Sequence, residues 1–169
     1  DRLILGLLRL SKVSKQGLNI NKVYLSSLAQ DVIQDLNKEY KNKIYKTIVT
    51  PDLICFGDTR LLRIVLENLI SNAYKYSALN EQPEIEFGST EVDGLTTYFV
   101  KDNGIGFDMA HQEKLFEPFQ RLHHPVEFEG SGIGLSSVAR IRRRHKGRIW
   151  AEVKPNEGDV FYFTLGLIV

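Results

Sequence analysis

The sequence predicts a two-layer α/β domain, helices laid over a sheet, and three observations point there. Four stretches carry apolar residues at helical spacing, and seven short strand-like runs stand among them. The length of 169 residues fits one domain with a core of useful size. The 43% hydrophobic and 25% charged residues form an ordinary globular composition, and the net charge of +1 selects neither nucleic acid nor membrane as a partner.

Residues 2–16 read as a helix with a broad apolar stripe of Leu3, Leu7 and Leu10, flanked by Ile4 and Leu8 and stopped near Gln16-Gly17. A short strand at Val23–Leu25 precedes a helix that Ser26 or Ser27 can cap, with Leu28, Val32, Ile33 and Leu36 on one face. Strands at 44–49 and 53–56 flank Pro51-Asp52. Asp58 or Thr59 caps a third helix reaching about Tyr76, whose buried face is Leu62, Val65, Leu66, Leu69, Ile70 and Ala73. Runs 84–92 and 95–101 form a hairpin around Asp93-Gly94, a strong tight-turn signal. Residues 103–133 are irregular and glycine-punctuated, with one helical turn at 110–116; so long a loop in a small domain marks a lid or a binding loop. A fourth helix at 134–145 and strands at 148–153 and 160–165, joined by a turn at 155–158, close the chain.

The single cysteine, Cys55, allows no intrachain disulfide, which suits a reducing, cytoplasmic compartment. No apolar run is long enough to span a bilayer. The first ten residues are too charged for a signal peptide, and without an initiator Met the chain reads as a piece of a longer protein.

Three segments carry chemistry. On the third helix Asn68 and Asn72 lie one turn apart, with Lys75 near the same face. Asparagine competes with the backbone in mid-helix, so two in register invite an explanation. A solvated polar stripe is the plain one; amide oxygens for Mg²⁺ beside a phosphate-facing lysine is the sharper one. Next, Asp102-Asn103-Gly104-Ile105-Gly106 follows directly on a strand, where Asp102 can accept from an exocyclic amine such as adenine's and the glycines let backbone approach a ligand. The plain alternative is a surface turn. Third, Gly130-Ser131-Gly132-Ile133-Gly134-Leu135 opens the fourth helix, where free amides can converge on phosphate oxygens. A hinge is the alternative, and the spacing is neither a P-loop nor a dinucleotide fingerprint.

Taken together and in this order, these segments resemble the sensor histidine kinases. Leu66-Glu67-Asn68-Leu69-Ile70-Ser71-Asn72-Ala73-Tyr74-Lys75-Tyr76-Ser77 resembles their N box, and Asp102-Asn103-Gly104-Ile105-Gly106-Phe107 their G1 box. Leu115 to Leu122, with Phe116, Phe119 and Arg121, is similar to the F box, and Gly130 to Ser136 to the G2 box. The wording around Arg121 and after Arg143 looks most like phytochrome-type kinases. The resemblance implies the GHKL ATPase fold: a mixed sheet of about five strands covered on one face by three helices, with a mobile ATP lid at about 107–134. It implies ATP and Mg²⁺ as cofactors, with Asn72, and Asn68 nearby, at the metal. Lys75 would meet phosphate, Tyr76 flank the nucleotide and Asp102 read the adenine amino group. Gly104, Gly106, Ser131, Gly132, Gly134 and Leu135 would line the site. Arg121 would stabilise the transferring phosphoryl group, and Glu67 would orient water or act as base. Residues 1–17 would end the dimerisation hairpin and 18–169 form the catalytic domain of a homodimer that phosphorylates its own helix and serves a response-regulator receiver domain. Membrane contact would come only through other domains.

Two departures stand out. None of His111, His123, His124 and His145 has a phosphoacceptor context, so the accepting histidine is expected outside this chain. Where the family often shows Gly-Thr-x-Phe or Gly-Ser-x-Phe, this chain has Gly158-Asp159-Val160-Phe161, which puts a hydroxyl contact there in doubt; Thr164 is expected to face the adenine pocket instead. An anti-sigma-type serine kinase and a pseudo-kinase that binds ATP without transfer stay open as alternatives. The basic run Arg140, Arg142, Arg143, Arg144, Lys146 and Arg148 lacks interleaved aromatics and reads as cations complementing a helix C-terminus, not as a nucleic-acid patch.

Overall fold

The computed structural model describes residues 17–106, 116, 134–154 and 157–166. The expected helix at 2–16, most of the expected lid, and Arg121, Ser131 and Gly132 lie outside the described residues.

The described residues form ten elements in chain order: β1 (Asn21–Tyr24), α1 (Leu25–Glu39), β2 (Lys46–Val49), β3 (Ile54–Gly57), α2 (Thr59–Ser77), β4 (Glu84–Val92), β5 (Leu95–Asp102), α3 (Gly134–Arg144), β6 (Ile149–Lys154) and β7 (Gly158–Phe163). Five strands make one sheet in the order β2-β4-β5-β7-β6, and β1 with β3 makes a separate two-stranded ribbon. β2 runs parallel to β4, while the other neighbours in the large sheet are antiparallel, so the sheet is mixed.

Local chemistry explains the element ends. Asp58 rather than Thr59 caps α2, its carboxylate accepting the amides of Arg60 and Leu61. Ser26 does not cap α1. Its hydroxyl donates to the Thr50 carbonyl at 2.6 Å and accepts the Leu53 amide at 2.9 Å, clamping the turn between β2 and β3. The hairpin turns as expected through Asp93 (φ 51°) and Gly94 (φ 78°), a two-residue connection whose twist matches the strands.

Period-two burial sorts the sheet. Ile85 and Phe87 of β4, Tyr98 and Val100 of β5, and Phe161 and Phe163 of β7 are buried beneath the helices. Against them α2 lays Leu62, Leu66, Leu69, Ile70 and Tyr74, and α1 adds Ala29, Val32 and Ile33. On the opposite sheet face Trp150 stacks on Tyr162 with centroids 5.3 Å apart, and Phe99 flanks Tyr162 at 6.3 Å, a cross-strand aromatic ladder. One consequence matters for the site. Asp102 and Asp159 share the inward parity of these apolar side chains, at the same end of the sheet.

Candidate functional site

Antiparallel pairing of β5 with β7 sets Asp102 opposite Asp159. Both are buried, Asp102 at 4% and Asp159 at 2% exposure. Asp102 Oδ1 accepts the Gly104 amide at 2.7 Å. Neither carboxyl oxygen of Asp159 finds a donor among the described residues. Gly158 makes the approach feasible: it sits at φ +109°, and a Cβ there would stand 2.0 Å from the Asp102 carbonyl oxygen. Burial, the largest influence, pushes the Asp102 carboxyl above the usual carboxylate range despite the Gly104 hydrogen bond. Asp159 is pushed well above it, by burial first and then by the neighbouring Asp102 charge.

The turn after Asp102 is laid directly on the last turn of α2. The Ile105 amide donates to the Tyr76 carbonyl at 3.3 Å, and a Cβ on Gly104 would stand 2.3 Å from that same oxygen. Gly106 occupies φ +66°, a conformation glycine adopts freely. Asn103, by contrast, is spent on structure. Its Oδ1 accepts the Glu84 amide and its Nδ2 donates to the Gln82 carbonyl, each at 2.9 Å. So the carboxylate at the strand end turns inward while the neighbouring amide stitches the loop to β4.

Along α2 the polar residues form a half-buried stripe. Asn68 Nδ2 donates to the Ile64 carbonyl at 2.8 Å, which fixes the amide and leaves Oδ1 as an acceptor. Asn72 follows one turn on, then Lys75 and Tyr76, all half-buried. Glu67 accepts from Arg63 Nε at 3.0 Å, and the Arg63 guanidinium also reaches Asp35 at 3.0 Å. Glu67 and Asn68 share a groove of 280 Å³ with Val32, Asp35 and Leu36 of α1. Thus the structure brings Tyr76, Asp102, Gly104 and Ile105 into one corner, and strings Asn72, Asn68 and Glu67 along the helix leading away from it.

Gly134 opens α3, where the sequence predicts the fourth helix to begin, and Leu135 is buried. Phe116 packs edge-on against Phe161, centroids 6.4 Å apart.

Thr164 is a correction. It lies just past Phe163, and Phe163 pairs with Tyr98, whereas Asp159 pairs with Asp102. Five residues of strand separate Thr164 from Asp159, about 17 Å at 3.4 Å per residue. Its hydroxyl accepts the Arg148 amide at 2.9 Å, so it closes the far end of the sheet instead of facing the Asp102 corner. The residue that sequence reasoning missed is Asp159 itself. Its signal was available: it shares the alternation of Phe161 and Phe163, and a carboxyl at an inward strand position is unusual.

Residues 57–168 match the family described as histidine kinase-, DNA gyrase B-, and HSP90-like ATPase. The adaptive-response sensory kinase SasA of Trichormus variabilis is 35% identical over 176 residues, covering 98% of this chain and 42% of SasA. Cyanobacterial phytochrome A of Nostoc sp. is 40% identical over 109 residues, covering 64% of this chain and 14% of the phytochrome. The chain thus spans less than half the length of both relatives. Among solved structures, the catalytic domain of histidine kinase ThkA superposes with a TM-score of 0.71 at 25% identity, over 87% of this chain and 97% of that one. Full-length ShkA in complex with AMPPNP superposes with a TM-score of 0.77 at 21% identity, over 96% of this chain and 35% of that one.

Proposed function

The chain belongs to the histidine kinase-, DNA gyrase B-, and HSP90-like ATPase family, and from that premise we propose that the corner between α2 and the Asp102 turn takes the purine of ATP, with the phosphates directed along α2. It is an ATP-binding domain of the histidine-kinase type, with three helices on a mixed five-stranded sheet. One observation carries the site reading: a buried carboxylate at a strand end, roofed by glycine backbone that rests on the asparagine-bearing helix.

The residues fit the ligand. Asp102 offers the buried acceptor that an exocyclic amine needs, and a base without that amine would leave it unpaired. Gly104 and Gly106 let backbone come close, and Tyr76 stands at the rim. Asn72 and Asn68 present neutral amide oxygens, few in number, which is the protein share of a Mg²⁺ site completed by phosphates and water. From Tyr76 to Glu67 is about 14 Å of helix at 1.5 Å per residue, enough for a purine end and a phosphate end on one helix. Lys75 is a cation for phosphate oxygens, and Arg121 another for the transferring group. Glu67, ion-paired with Arg63, would order water or act as base at the phosphate end. Ser131, Gly132, Gly134 and Leu135 supply amides and packing where α3 begins.

We place the accepting histidine outside this chain, on a dimerisation hairpin whose last turns are residues 1–17, and the full protein as a homodimer. ThkA, a kinase of this fold, has been seen in complex with the response regulator TrrA, which supports a receiver domain as the onward acceptor. No helix among the described residues is long and apolar enough to cross a membrane, and we place the domain in the cytoplasm.

Titrating the chain with ATP and GTP, with and without Mg²⁺, tests the reading. Asp102→Ala should lose about ten- to a hundredfold in ATP affinity, the equivalent of about 1–3 kcal/mol, with the fold retained. Asn72→Ala should erase the tightening that Mg²⁺ gives. Unchanged ATP affinity in Asp102→Ala sinks the purine assignment, and Mg-independent binding by the parent chain sinks the metal role. Adding a separate dimerisation hairpin and labelled ATP should yield acid-labile phosphohistidine; none formed under binding conditions would make this an ATP-sensing module.

A further inference from the structure

Asp159 is left over from the preceding reading. It is 2% exposed, both its oxygens lack a donor among the described residues, and its register partner across β5–β7 is Asp102. Burying a carboxylate without a donor is costly, and burying two side by side is costlier. Gly158, at φ +109° with no room for a Cβ, holds the two strands in this close approach. Two ionised carboxylates have only acceptors between them; one shared proton turns the conflict into a hydrogen bond. We infer that Asp159 is a positioning residue for nucleotide: it carries a proton, donates it to the Asp102 carboxylate, and so holds Asp102 as the ionised acceptor for the purine amine.

The surroundings decide which member keeps the proton. Asp102 is stabilised as the anion by the Gly104 amide at 2.7 Å, while Asp159 has no such donor among the described residues and lies deeper. From β6 the residue facing Asp159 is Val153, which cannot titrate. From β5 it is Asp102. On α2, against which the Asp102–Gly104 turn rests, the ionisable side chains of the last turn are Tyr74, whose phenol burial raises to about 12, Lys75 and Tyr76. No basic side chain among the described residues enters the electrostatics of either carboxyl. Burial pushes both upward, Asp159 further, while the contact between them raises Asp159 and lowers Asp102, so the proton stays on Asp159. A neutral hydroxyl at this position would donate to Asp102 at every pH. A carboxyl donates only while it keeps its proton, so this chain has made purine binding pH-dependent.

The inference rests on Asp102 being the purine acceptor, and the experiment separates the two claims. ATP affinity of the chain is measured by calorimetry from about pH 5.5 to about pH 9, alongside Asp159→Asn and Asp159→Thr. The parent should weaken toward alkaline pH, by up to tenfold per pH unit, as the shared proton leaves and a second charge appears beside the first. Asp159→Asn, whose amide donates permanently, should bind ATP at neutral pH and lack that alkaline limb. Asp159→Thr should do the same and serves if the Asn variant does not fold. A parent profile without the limb, or a limb kept in both variants, overturns the inference. If Asp102→Ala weakens binding at every pH while the limb is absent from the parent, the purine reading stands and the pair falls. If Asp102→Ala binds like the parent, both fall.

Discussion

Asp58 and Asp102 are aspartates at nearly the same depth, 1% and 4% exposed, and their surroundings treat them in opposite ways. Asp58 Oδ1 accepts the amides of Arg60 at 3.0 Å and Leu61 at 3.4 Å, and Oδ2 accepts the Asn19 amide at 3.0 Å and the Arg60 guanidinium at 3.1 Å. Burial pushes its carboxyl up, but these donors together outweigh burial and hold it below the usual carboxylate range. Asp102 has the Gly104 amide and a second carboxyl beside it, and burial keeps it above that range. Depth does not separate the two sites; the supply of donors does. A buried acid whose lone pairs are filled by its own chain anchors the fold, and one whose lone pairs are not is turned toward something else.

The largest test of this contrast is a pair of substitutions. Asp58→Ala should cost about 2–4 kcal/mol of stability, because it removes an N-cap and leaves the amides of Asn19, Arg60 and buried Leu61 without their acceptor. Asp102→Ala should cost little stability while lowering ATP affinity about ten- to a hundredfold. Urea unfolding of the two variants decides: if Asp102→Ala loses as much as Asp58→Ala, the division into anchor and acceptor is wrong.

Next in size is Gly104→Ala. Its new methyl would stand 2.3 Å from the Tyr76 carbonyl oxygen, so the turn must lift off α2. A loss of about 1–3 kcal/mol is expected, as for other overpacked sites, together with weaker ATP binding. Gly94→Ala is its control for space, since nothing lies within 4 Å of a Cβ there, although φ +78° still strains it. Equal ATP affinity in the parent and Gly104→Ala would remove the turn from the site.

Much of this contrast was legible in the residues. The apolar stripe of α2, the Asp93-Gly94 turn and the glycines after Asp102 are local signals, each set by neighbours in the chain. The inward place of Asp159 was legible in its alternation with Phe161 and Phe163, but the partners of Asp159 and Thr164 were not, because they stand far away in sequence. Asp159 meets Asp102 only through strand register, and nothing near position 159 announces that pairing. Thr164 is a hydroxyl near the expected pocket in sequence but one strand length from it in space. Ser26 shows the same limit on a smaller scale: it has the chemistry of a cap, yet the turn at Thr50 and Leu53 claims it. Local propensity places elements well and assigns side-chain partners poorly wherever tertiary donors compete.

A smaller effect sharpens the contrast from the Asp159 side. A carboxyl raised in the folded state binds its proton there more tightly than in the unfolded chain. Its stabilising share is therefore full below the ordinary carboxyl value and is lost as pH rises through the folded one. The nucleotide-free parent should lose stability toward alkaline pH, and Asp159→Asn should be flatter and more stable by about 1 kcal/mol at about pH 8. Chemical denaturation at several pH values measures it, and parallel curves for parent and variant would count against the buried proton.

The smallest expected effect returns to the Asp58 corner. His145 is fully buried, just past α3. Its Nε2 accepts the Asp58 amide at 3.0 Å, and its Nδ1–H donates to the Ile141 carbonyl at 2.8 Å. Both nitrogens are thus engaged in the neutral ring, and a second proton would point Nε2–H at an amide hydrogen. Burial lowers the His145 value, with the Ile141 carbonyl and the Asp58 charge opposing it. As pH falls below the ordinary histidine value of about 6.5, the unfolded chain takes a proton that the folded chain refuses, so stability declines until the folded value is passed. His145→Gln keeps a donor and an acceptor but cannot titrate. It should start less stable than the parent and show a shallower decline between about pH 6.5 and about pH 5. Asp58 gives up its own contribution only at lower pH, because its folded carboxyl lies below the usual range, so the two limbs separate. An identical acid limb in parent and His145→Gln would mean that this histidine is not the group that the corner keeps neutral.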